Sequence, residues 1–137
     1  MSTVAEQPST LIGAYLARGT VGNVGTPGAP IMHYSLVVVP STGSVSGTVE
    51  ITQAIAPPQN RVVIPNVHGV IRKTGLGPVT QIVALQGQYV YSVPPPAIGS
   101  FLADFSAHLA IDNAWNGRGG FSYFNHNVEN VPVTPAN

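Results

Sequence analysis

The chain has 137 residues, the size of one domain, of which 44% are hydrophobic and 7% are charged; an ordinary soluble domain carries about 25% charged residues. Five basic residues cancel five acidic ones, and there is no cysteine. Disulfides, thiolate chemistry and cysteine-ligated zinc are therefore excluded, and among the basic residues only Arg72 and Lys73 adjoin, too little clustering for nucleic-acid binding through phosphate contacts.

The first residues, Met1 to Pro8, have neither the basic nor the apolar region of a signal peptide. Apolar runs such as Leu36–Val39 reach four residues, far short of a membrane span. Together these predict a cytoplasmic protein, with export that reads no N-terminal signal left open. Residues 1–10 are expected to be a flexible N-terminal segment, 11–126 the folded domain and 127–137 a C-terminal tail.

Within the domain the dominant period is two, the signature of strands with one face toward a core. Leu11 to Leu16 reads as the first strand. Gly19, Gly22, Gly25 and Gly28 follow at every third position, too few triplets for a collagen-type helix and expected to form an ordered, extended loop. Ile31 to Val39 is β-rich and nearly continuous in apolar residues, as a strand covered on both faces would be. In Ser44–Thr52 the odd positions are apolar or glycine and the even ones polar. Val62 to Ile71 is a strand interrupted by Pro65, which cannot donate to a ladder and marks a bulge or an edge. Val83, Leu85, Gly87, Tyr89, Tyr91 and Val93 alternate with mostly polar residues.

In Phe101 to Asp112 the apolar residues Phe101, Ala103, Phe105, Ala107, Leu109 and Ile111 occupy every odd position. This favours a strand over a helix, although Phe101, Phe105 and Leu109 also fall four apart. Phe121 to Phe124 is the last predicted strand. Proline- and glycine-rich turns separate these segments, as at Pro40–Gly43, Pro57–Asn60, Pro94–Pro96 and Asn116-Gly117. Seven or eight short strands at this spacing predict an all-β, single-domain antiparallel β-sandwich, with a small β-barrel as the alternative.

Three groups of residues invite a chemical interpretation. Asp104, Ser106, His108 and Asp112 share one face of their strand, but neighbours two apart are separated by nearly 7 Å at about 3.3 Å per residue, too far for a nucleophile–base hydrogen bond. His33, His68, His108 and His126 show no ligand spacing that would pre-organise a metal site. The most site-like stretch is Asp112 to Gly120, where the single tryptophan, Trp115, stands among Asp112, Asn113, Asn116, Arg118 and three glycines. An aromatic face beside planar polar groups is the composition of a sugar site. The reading favoured over it is a glycine-rich β-hairpin whose Trp115 caps the core, since a lone tryptophan in a small domain is usually packed.

Gly25-Thr26-Pro27-Gly28-Ala29-Pro30, Ser46-Gly47 through Ile51-Thr52-Gln53-Ala54, and Pro57-Pro58 resemble a family of small bacterial β-proteins described only as a domain of unknown function. The resemblance runs from about Gly13 to Tyr123. It implies a bacterial source and a β-sandwich, and brings with it no catalytic residue, ligand or partner.

These features lead to an expected function without catalysis or cofactor: a structural or protein-interaction module, self-associating because so few charges oppose contact between copies. A lectin-like carbohydrate-binding module using Asp112, Asn113, Trp115, Asn116 and Arg118 is the alternative. A small enzyme or metal-binding barrel comes third.

Overall fold

A computed structural model of the chain describes residues 13–55, 60–77, 79–93 and 95–136. The expected N-terminal segment, residues 1–10, lies outside the described residues. Eight strands follow one another: β1 (Tyr15–Val21), β2 (Ile31–Val39), β3 (Ser44–Thr52), β4 (Arg61–Leu76), β5 (Val79–Ser92), β6 (Ser100–Ile111), β7 (Gly117–Tyr123) and β8 (His126–Pro135). Each pairs antiparallel with its neighbours in sequence, and β1 meets β8 to close a barrel. Of the two all-β architectures the sequence allows, the closed barrel is the one adopted. Alternation of apolar and polar residues is the same in a sandwich and a barrel; the β1–β8 pairing decides between them.

The apolar stripes fill the barrel. Met32, Tyr34, Leu36 and Val38 from β2, Val45, Val49 and Ile51 from β3, and Phe105, Leu109 and Ile111 from β6 are all buried in one cluster. The charged residues lie outside it, with Arg18, Arg61, Arg72, Lys73, Asp104, Arg118 and Glu129 exposed. Lipid-spanning barrels carry polar residues inward, whereas the interior here is apolar. No helix among the described residues is long and apolar enough to cross a membrane.

Several boundaries differ from the sequence expectations. β2 is buried on one face only, with His33 and Val37 exposed between buried neighbours, because a single-layered barrel wall has no second cover. Gly19 belongs to β1, where a side chain would collide with the Tyr34 hydroxyl and the Thr134 carbonyl; Gly25 and Gly28 make the turn beyond it at positive φ. Phe101 is 45% exposed rather than in the core, because β6 outruns β7.

The expected tail is in fact β8. Val131 and Val133 are buried in the core, and Gly22 N–H donates to the Pro132 carbonyl at 3.0 Å. Two prolines and a positive φ at Asn130 disguise this strand, since proline supplies no ladder donor.

Pro65 does mark a bulge. Gly47 pairs with Val67 and Val49 with Ile64, so Pro65 and Asn66 together oppose Thr48, which is two residues against one.

Candidate functional site

The Asp112–Asn116 segment connects β6 to β7 at one end of the barrel. The Asp112 carboxylate accepts from the amides of Ala114 (2.8 Å) and Asn116 (3.0 Å), and the Trp115 amide donates to the Asp112 carbonyl. Asp112 thus ties the turn together, the usual work of aspartate in an Asx turn. Trp115 has φ 68°, a conformation uncommon for a bulky residue and therefore strained. What it obtains is a position inside the barrel: Trp115 is 5% exposed, stacks on Tyr34 at 5.6 Å between centroids, and donates from Nε1 to the Tyr15 hydroxyl at 3.3 Å. Its ring therefore plugs the end of the core and offers no open face for a sugar.

Asn113 accepts from Thr80 and from the buried Gln81, joining the turn to β5. Asn116 is exposed. Arg118 points away along β7, donating to the side chain of Asn130 at 2.7 Å and to its carbonyl. Asp112, Asn113, Trp115 and Arg118 spend side-chain polar groups on the fold.

The histidines lie on four different strands. His33 bonds Thr52, His68 bonds Gln86, His108 faces Glu129 at 3.5 Å, and His126 stacks on Tyr123. No three metal-capable side chains converge among the described residues. Asp104, Ser106 and His108 line the outer face of β6, where Asp104 accepts from Gln88.

The opposite end of the barrel holds a feature that spacing alone did not disclose. The β4–β5 ladder ends at His68↔Gln86 and the β6–β7 ladder at Phe105↔Tyr123, whereas β5 and β6 continue together to Ser92↔Ser100. Residues 87–92 and 100–104 therefore run on as a two-stranded ribbon beyond the ladders on either side, with Tyr89 and Ala103 still buried in the core on its inner face. One face of the ribbon carries a ring cluster: Tyr91 lies 4.2 Å from Phe124 and 5.0 Å from Phe101. The other carries the cross-strand pair Val90 and Leu102, 63% and 64% exposed, and the tip bears Ile98, 99% exposed. No charged residue occurs from Gln86 through Ala103.

Comparison with known proteins adds a family. No curated protein matches the chain. A family model, the domain of unknown function DUF1842, matches residues 12–128, which takes in all of β1 to β7 and the start of β8. The chain belongs to the DUF1842 family.

Proposed function

We propose that this protein is a non-catalytic, self-associating interaction module whose copies meet through the β5–β6 ribbon. The observation that carries this is the ribbon: beyond Gln86 and Phe105 its two strands pair with each other and with neither flanking strand, while Val90, Ile98 and Leu102 stand in solvent. A strand edge beside exposed apolar side chains is a template for another strand. Two copies related by a two-fold axis would bring identical edges together, each satisfying the other. The charge-free stretch from Gln86 to Ala103 and the zero net charge leave no repulsion to oppose the contact.

The test is sedimentation velocity over an about hundredfold dilution, at low and high salt. The expected result is a dimer or larger closed oligomer at micromolar concentration, with an interface of at least about 1,000 Å² and little response to salt. Val90→Lys combined with Ile98→Lys places charge on the ribbon without touching the core and should give monomers. A wild-type protein that is monomeric at every concentration overturns the proposal.

A further inference from the structure

A groove of about 760 Å³ opens on the outer face of β4, β5 and β6, where β4 turns away from β5 at the Pro65 bulge. Its size falls within the roughly 300–1,000 Å³ of small-molecule sites. Two cross-strand rows line it. His68, Gln86 and Ser106 are in register across the three strands, and Gln88 pairs with Asp104 one step further along. All are exposed, and Leu102 forms an apolar wall.

The polar groups are held by one another. Gln86 Nε2 lies 3.2 Å from His68 Nε2, and Gln88 Nε2 donates to Asp104 Oδ1 at 3.1 Å. Each such bond fixes an amide plane and leaves its other atoms for a ligand. The second Asp104 oxygen and both glutamine carbonyl oxygens have no protein partner among the described residues.

The lining decides the chemistry of the ligand. No lysine or arginine borders the groove, and its one charge is a carboxylate, so a phosphate or carboxylate ligand would meet repulsion without compensation. A comparable concavity over β1–β4 contains Arg18 and the Arg61–Glu50 ion pair, and is correspondingly less selective against charge. Amides, a carboxylate and a hydroxyl beside an aliphatic wall instead match a ligand with many hydroxyls, each both donor and acceptor, and a C–H face.

We propose that this groove binds a neutral saccharide, with Gln86, Gln88, Asp104 and Ser106 meeting its hydroxyls, His68 fixing Gln86, and Leu102 meeting its C–H face. The groove places the carbohydrate chemistry on β4, β5 and β6 and away from Asp112, Asn113, Trp115, Asn116 and Arg118. Gln88, Leu102 and Asp104 lie on the outer face of the ribbon, so binding is measured on the Val90→Lys, Ile98→Lys protein as well as on the wild type, which separates a failure of the groove from a failure of association.

The experiment begins with the full chain on an array of neutral, sulfated and sialylated glycans, with inorganic phosphate as the anion control in solution. A neutral glycan that binds is then titrated into ¹⁵N-labelled protein. The expected result is saturable shifts of backbone amides at residues 66–68, 86–88 and 102–106, weakened about tenfold or more by Gln88→Leu or Asp104→Leu, a size ordinary for a lost hydrogen bond to a charged group. Asp104→Asn, which keeps an acceptor in place, should retain most of the affinity. Ser122→Ala on β7 should change nothing, and every variant should match the wild type in thermal unfolding. Binding of no glycan, of anionic glycans or phosphate alone, shifts centred elsewhere, or wild-type affinity in both leucine variants would each overturn it.

Discussion

Phe105 is 2% exposed and belongs to the core cluster with Leu109 and Ile111; Phe105→Ala should cost about 3–5 kcal/mol through lost burial and the cavity left behind. A loss below about 1 kcal/mol in chemical denaturation would show that the ring does not hold the core. The Tyr34 and Tyr89 hydroxyls are buried without a hydrogen-bond partner among the described residues, so Tyr34→Phe and Tyr89→Phe should leave stability at neutral pH unchanged or raise it by up to about 1 kcal/mol. Burial pushes both hydroxyls up to about 12, helped at Tyr89 by the neighbouring Tyr123 and Tyr91. In the unfolded chain they ionise near pH 10. The folded state therefore keeps protons that the unfolded state releases, and stability present below about pH 10 is lost as pH rises toward about 12. Denaturation across that window should show the decline, and the double phenylalanine variant should flatten it. At this scale the inward set Val45, Val49, Ile51, Phe105, Leu109 and Ile111 was legible from alternation. The side taken by Trp115 was not, because it depends on a left-handed φ and on two tyrosines far away in the chain.

Among the elements, β3 follows its hydrophobic pattern to the residue, β2 keeps its expected bounds but is buried on one face only, and the proline inside β4 announced its bulge. β8 escaped detection because only Val131 and Val133 enter the core, too few for a visible period beside Pro132 and Pro135. Gly117 and Gly119 suggested a loop, yet they lie in β7, where side chains would collide with the Ala110 and His108 carbonyls. Removing residues 127–137 tests the point. As a tail its loss would be neutral; as the strand that closes the barrel, its loss should abolish the cooperative unfolding transition in circular dichroism. A truncated chain as stable as the full one would contradict the closure. The ribbon was hidden for a related reason: β5 and β6 were each predicted, but the lengths of the ladders on either side of them are not written in their own alternation.

For the whole molecule, the absence of cysteine and of converging ligands among the described residues leads to a simple expectation. Thermal unfolding should be the same with and without reductant or EDTA, and a clear drop on chelation would force a search for a metal held by the histidines. The meander itself has a kinetic consequence. Every hairpin joins strands that are adjacent in the chain, but the seam joins Gly19, Thr20 and Val21 to Pro135, Thr134 and Val133 through three residue pairs. Bringing such distant segments together carries the largest loop-closure entropy in the fold, against the shortest ladder. Zipping should therefore run from hairpin to hairpin and finish at the seam, and breathing should start there. In native-state hydrogen exchange the amides of β1 and β8 along the seam should open at lower free energy than those of the β5–β6 hairpin. An opened seam exposes two complementary edges at once, so the same three rungs that complete one molecule could join the β1 of one copy to the β8 of the next, making the seam the place where strand exchange between copies would begin.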